Sequence, residues 1–244
     1  METASALAHV EIHDTVVNIF RSLPKGTILD VPAGEGALAE RLLELGFDVC
    51  CCDLYPQIFK LKDVDIRQGD LDSLLPYEDG MFGSIVCIEG LEHIENPANA
   101  IREFSRLLKT GGMLVISIPN ILNVEERLKW LFSGYTSHFK PLSESVRAEI
   151  SEHYGGMEEI AVHANPISYS ELRYLLEMNG FRLERLSIDK PKQKTYRLFP
   201  VGLLIRLISR TRSIQKRKER WADELNSREV LMGGNTLIFQ ARKI

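Results

Sequence analysis

The chain has 244 residues, 44% of them hydrophobic and 26% charged, with a formal net charge of −4. That length suits one domain with insertions, and the acidic balance excludes a molecule that binds nucleic acid through its overall charge. The four cysteines, consecutive Cys50, Cys51 and Cys52 with Cys87 apart, argue against both a disulfide-stapled secreted domain and a C-x-x-C zinc site.

The opening METASALAHVEIHD has neither a basic region nor an apolar run, so no signal peptide and a cytoplasmic protein are expected. Residues 8–22 pattern as an amphipathic helix. A short apolar strand over 27–31 runs into the turn Pro32-Ala33-Gly34-Glu35-Gly36, and 37–45 read as a helix closed by Gly46. Further strands are predicted over 47–52, ending at Asp53, over 64–68, ending at Gly69-Asp70, and over 82–88. A helix comes next at 97–108, then Gly111-Gly112 and a fifth strand over 113–118. Residues 121–162 break the rhythm and read as a helical or irregular cap. A helix at 168–179, a sixth strand at 181–188 and a last strand at 235–241 complete the chain. Strands alternating with helices at this spacing predict a single α/β domain over 1–244. Its doubly wound, mostly parallel sheet has seven strands and helices on both faces.

The turn 32–36 sits between a strand and a helix, where glycine admits a ligand to the backbone and free N–H groups meet a carboxylate or phosphate. Asp53 is placed to accept from ribose hydroxyls, and Asp70 to accept from an adenine amino group. The alternative is a tight turn with solvated acids. An acid after each of three successive strands, at the edge where such sheets bind ligands, favours the nucleotide-like ligand. Gly34, Gly36 and Ala39 also fit G-x-G-x-x-A, so a nicotinamide cofactor competes.

Residues 69–116 decide between the two cofactors. Gly69-Asp70-Leu71-Asp72, then Phe82-Gly83-Ser84-Ile85-Val86-Cys87, then Leu107-Leu108-Lys109-Thr110-Gly111-Gly112-Met113-Leu114-Val115-Ile116 resemble the later motifs of class I S-adenosylmethionine-dependent methyltransferases in order and spacing. The resemblance covers 27–120 well and continues more loosely through Phe181 and Asn235-Thr236-Leu237-Ile238-Phe239. It implies a Rossmann-like fold with S-adenosylmethionine as cofactor, held by Asp30, Ala33, Gly34, Gly36, Asp53, Leu54, Asp70, Leu71 and Glu89. Within that set Gly34 and Gly36 would cradle the methionine end, Asp53 the ribose, and Asp70 with Leu71 the adenine. Asp30 would orient the turn or bind the amino group through water. Pro32 departs from the family pattern, which usually has glycine there; it removes one backbone N–H.

After the fourth strand comes Glu89-Gly90-Leu91-Glu92-His93-Ile94-Glu95-Asn96-Pro97. His93 and the later His163 are the candidate catalytic residues, since imidazole titrates near working pH. His93 could instead cap the helix that begins near Pro97, and His163 could be structural. Glu89, Glu92, His93 and His163 also resemble the metal site of ubiquinone-pathway O-methyltransferases and small-RNA 3′-end methyltransferases. That resemblance implies a divalent cation such as Mn²⁺, Zn²⁺ or Mg²⁺.

A basic amphipathic insertion spans 190–228. Residues 189–220 carry eleven Lys or Arg, including Lys190, Lys192, Lys194, Arg197, Arg206 and Arg210, against Asp189 and Glu219. Val201, Leu204, Ile205 and Ile208 fall at helical spacing, widened by Leu203 and Leu207. An apolar stripe beside cations suits the surface of an anionic membrane, at the cytoplasmic face; the alternative is a helix packed on the core. Aromatic interleaving is sparse, which weighs against nucleic acid. The most apolar run, 199–208, contains Arg206 and is about half the ~20 residues a membrane span needs. The expected activity is O-methylation of a small-molecule, lipid-linked or glycan acceptor, with the closest resemblance to bacterial methyltransferases of cell-surface glycan or lipid metabolism. An RNA-end methyltransferase and a non-catalytic S-adenosylmethionine-binding module are the alternatives.

Overall fold

Short runs of four to six residues form the first four strands: β1 (Thr27–Asp30), β2 (Asp48–Asp53), the more polar and exposed β3 (Asp65–Gln68), and β4 (Phe82–Cys87). With β5 (Leu108–Pro119), β6 (Phe181–Ile188) and β7 (Thr236–Lys243) they make one seven-stranded sheet in the order β3-β2-β1-β4-β5-β7-β6. β1 to β5 run parallel, and β7 runs antiparallel between β5 and β6. The computed structural model describes residues 4–6, 8–139, 142–157, 161–192 and 197–244.

Side chains alternate across the strands and split the core in two. Leu29, Cys50, Cys52, Ile85, Leu114 and Ile116 face one side, where they meet Phe104 of α3 (Pro97–Leu107) and Leu172 and Leu176 of α6 (Tyr169–Met178). Ile28, Val49, Cys51, Val86 and Val115 face the other, against Val16 and Phe20 of α1 (Val10–Arg21) and Leu38 and Leu42 of α2 (Ala37–Glu44). The cysteine run is therefore a buried strand of free thiols. Desolvation raises all three, Cys52 to about 12, so they stay protonated and inert.

Helix starts are set by side-chain caps. Asn96 accepts from the Asn99 N–H at 3.2 Å with Pro97 in the first turn, and Ser168 accepts from the Glu171 N–H at 3.2 Å. One strand starts earlier than the sequence-based expectation, and the basic insertion before β7 is helical as expected. β5 begins at Leu108 rather than Met113, because its edge pairs with Phe82 of β4 ahead of the double glycine. The cap contains α4 (Val124–Ser133), capped by Asn123 at 2.9 Å, and α5 (Glu144–His153); its residues 140–141 and 158–160 lie outside the described ones. The basic insertion forms α7 (Phe199–Arg210), α8 (Ile214–Glu219), α9 (Ala222–Leu225) and α10 (Arg228–Leu231), with 193–196 outside the described residues. Among the described residues no helix is long and apolar enough to cross a membrane.

Candidate active site

The strand order reverses between β1 and β4, which opens a crevice outside their carboxyl ends. A cleft of ≈ 530 Å³ lies there, within the usual size of a cofactor pocket. Asp30, Ala33, Gly34, Asp53, Leu54, Asp70, Leu71 and Glu89 line it. Gly36 does not. It stands behind the turn at the start of α2 with φ +97°, and Phe59 Cε2 and Leu61 Cγ lie 2.8 and 2.9 Å from where a Cβ would be. Its role there is to let the turn close against these two side chains.

The turn is tied to β2. Asp53 accepts from the Gly34 N–H at 2.7 Å and the Tyr55 N–H at 2.8 Å, so its carboxylate sets the height of the loop. Asp30 is fully buried, and its Oδ2 has no partner. Burial, and then the nearby Asp53 charge, push its carboxyl up to about 8. Asp70 accepts from the Asp72 N–H at 2.8 Å, and Asp72 in turn accepts from Glu95 and Asn96 N–H groups at 2.9 and 2.7 Å. These bonds fix the far wall of the cleft to the start of α3. Pro32 packs on Gly90, whose Cβ, if present, would stand 2.6 Å from Pro32 Cδ.

Beyond β4, Glu89 adopts φ +47°, with its N–H donating to Ser117 Oγ at 2.9 Å. Residues Leu91–His93 form a single 3-10 turn, and the Glu92 carbonyl accepts from the Asn165 N–H at 2.9 Å. That bond brings His163 beside His93: their ring centroids are 4.8 Å apart, edge to face. Each Nδ1 faces a backbone carbonyl at 3.0 Å, Val162 for His93 and His138 for His163. A carbonyl only accepts, so both Nδ1 atoms carry the proton and Nε2 is the basic nitrogen. Glu92 is buried with neither carboxylate oxygen partnered, and desolvation, reinforced by Glu89, pushes it up to about 8.

Ligand atoms of Glu92, His93 and His163 lie within 4.8 Å of one another. Glu89 falls outside that group and lines the cleft instead. Capping of α3 falls to Asn96, which leaves His93 to the Val162 carbonyl.

Several lining residues are not apparent from the sequence alone. His13 lies at helical spacing with Val16, Val17 and Phe20, which is the available signal; burial lowers it to about 4. Ser5 reaches the cleft through an N–H donated to Glu35 at 2.7 Å, and Glu35 pairs with Lys60 at 2.9 Å. Arg147 of α5 also lines it, from a cap with no readable pattern.

Comparison with known proteins agrees with this architecture. Residues 29–116 match the methyltransferase domain family. A methyltransferase from Archaeoglobus fulgidus has the same fold, with a TM-score of 0.56 and 17% identity over 95% of this chain and 94% of that one. Phosphoethanolamine N-methyltransferase 2 of Haemonchus contortus, solved with S-adenosylmethionine, gives 0.52 and 18% over 95% of this chain and 52% of that one. Residues 29–116 thus carry the match to the methyltransferase domain, and the chain as a whole has the fold of these solved methyltransferases.

Among curated relatives, a ubiquinone biosynthesis O-methyltransferase of Xanthomonas campestris is 35% identical over 108 residues, 41% of this chain and 45% of that protein. One from Xanthomonas oryzae is 36% identical over 102 residues, 38% and 43% of the two. The chain thus spans less than half the length of the curated relatives it matches.

Proposed function

We propose that this protein transfers a methyl group from S-adenosylmethionine to a hydroxyl of a small-molecule acceptor. The observation behind this is the cluster of Glu92, His93 and His163, of which His93 lines the cleft that Asp30, Gly34, Asp53 and Asp70 build.

The cleft fits the cofactor. Asp30 offers a buried, unpartnered carboxylate oxygen, and Asp53, Asp70 and Glu89 add acids, which suits a ligand with ammonium and sulfonium charges. Bound S-adenosylmethionine supplies an electrophilic methyl group. Asp53, already anchored on two backbone N–H groups, keeps further lone pairs for ribose hydroxyls, and Asp70 with Leu71 flanks the base. Positioning of the reacting groups contributes much of the rate.

Glu92, His93 and His163 would hold a divalent cation such as Mn²⁺, Zn²⁺ or Mg²⁺. The unpartnered Glu92 carboxylate and two imidazoles with fixed tautomers are a suitable donor set. The cation would supply Lewis acidity to the acceptor hydroxyl. The O-methyltransferase names of the relatives support oxygen as the methylated atom. Four buried free thiols support a cytoplasmic setting. The acceptor is read as a free or lipid-linked phenol or sugar hydroxyl.

The test is methyl transfer from labelled S-adenosylmethionine to phenolic and glycolipid acceptors. Labelled product is expected with the wild type and none with Gly34→Arg, which fills the cleft. Binding of S-adenosylmethionine without transfer to any acceptor class would favour a non-catalytic binding module.

A further inference from the structure

Helix α7 carries most of its large apolar residues on the side away from the core. Its inner face is Val201, Gly202, Ile205 and Ser209. Gly202 is buried, with Met232 Sδ and Val124 Cγ2 at 3.0 and 3.5 Å from where a Cβ would stand, so glycine lets α7 approach the first turn of α4. Ser209 Oγ accepts from Asn226 Nδ2 at 3.2 Å. The helix is thereby held by its small residues. The sequence stripe splits: Val201 and Ile205 turn inward, while Leu204 and Ile208 join Phe199, Leu203 and Leu207 in solvent, each about half exposed.

This surface continues onto α4. Phe132 is 83% exposed, and it lines a shallow groove with Leu198, the residue before α7. A contiguous apolar surface of this kind exceeds the scattered apolar residues normal on a monomer. Its surroundings are cationic. Residues 197–220 carry eight Lys or Arg against Glu219 alone, in a chain of net charge −4. Arg206 and Arg210 lie exposed on the outer side of α7, and Arg212 and Lys216 continue the charge onto α8.

We propose that α7, with α8 and the exposed end of α4, docks this protein on an anionic lipid bilayer. An apolar face rimmed by cations matches the boundary between acyl chains and anionic headgroups, where both terms act together. Topology adds a consequence. α4 leaves the carboxyl end of β5, which is parallel to β1 and β4, so docking places the cleft's edge of the sheet toward the membrane. Docking is independent of the proposed reaction, and its test does not use activity.

The test is flotation of the full chain with phosphatidylcholine vesicles and with vesicles containing phosphatidylglycerol, at low and high salt. Recovery is expected only with the anionic vesicles and falls as salt rises. Leu204→Gln with Ile208→Gln should lower partitioning by about tenfold or more. Arg206→Gln and Arg210→Gln should each lower it roughly fivefold. All four positions are exposed, so melting temperature and S-adenosylmethionine binding should stay as in the wild type. Equal recovery with neutral vesicles, or unchanged recovery for the apolar double variant, overturns the proposal. So does a wild type that ignores vesicles and forms a dimer that Leu204→Gln with Ile208→Gln dissociates, since the face is then a subunit interface.

Discussion

The backbone N–H of Gly34 donates to the Asp53 carboxylate at 2.7 Å, joining the first turn of the sheet to the end of the neighbouring strand. One side chain thus both shapes the first loop and lines the cleft. Asp53→Ala should cost about 1–3 kcal/mol of stability, because the Gly34 and Tyr55 N–H groups lose their acceptor. It should weaken S-adenosylmethionine binding by ~1–3 kcal/mol as well. Asp53→Asn keeps one acceptor oxygen and should fall between. Thermal melts and calorimetry check the order; an Ala variant as stable as the wild type contradicts the anchor.

Asp30 gives a pH prediction. Its carboxyl sits at about 8 in the fold against an ordinary 3.8, raised first by burial. As pH rises from about 4 toward about 8, the unfolded chain gives up a proton that the folded chain keeps, so this group subtracts stability over that window. Below it both states are protonated and no penalty applies. Asp30→Asn removes the slope and should raise the melting temperature of the ligand-free protein near pH 8. A cationic ligand favours the carboxylate, so binding should release a proton. The binding enthalpy at neutral pH should then vary with the ionisation enthalpy of the buffer, and this dependence should vanish in Asp30→Asn.

Much of the site was legible because its residues sit at strand ends, where a period of two meets glycine and an acid. Asp30, Asp53 and Asp70 close or succeed β1, β2 and β3 for this reason. The antiparallel β7 was readable as a strand, but its place between β5 and β6 is set by tertiary packing. Arg147 could not be found, since α5 has no buried residue to impose a pattern. The orientation of α7 was equally hidden. Its apolar residues surround most of the helix, and only the buried Gly202 shows which side is inside.

The contact between Pro32 and Gly90 explains how proline is accommodated in the first turn. Gly90 has φ −118°, so alanine there meets no backbone strain; its new Cβ meets the proline ring at 2.6 Å, with Cys87 Sγ at 3.1 Å. Gly90→Ala should cost about 1–3 kcal/mol. Pro32→Gly in the same chain should recover part of that loss, giving a coupling of about 0.5–3 kcal/mol in a double-mutant cycle. Strict additivity in thermal melts would contradict the contact.

The cation reading predicts that exhaustive chelation abolishes methyl transfer, and that adding back one of Mn²⁺, Zn²⁺ or Mg²⁺ restores it. His163→Ala should lose the restored activity while keeping cofactor affinity, because His163 lies outside the cofactor cleft. Full activity after chelation would assign His93 the role of a simple base, with Nε2 taking the acceptor's proton.

Calorimetric titration of the wild type decides whether the acidic cleft at the β1 and β4 switch point is built for S-adenosylmethionine. Micromolar binding of S-adenosylmethionine or S-adenosylhomocysteine is expected, weakened in Asp53→Ala and absent in Gly34→Arg. No binding by the wild type, or tighter binding of NAD, would mean that the cleft is built for a different ligand.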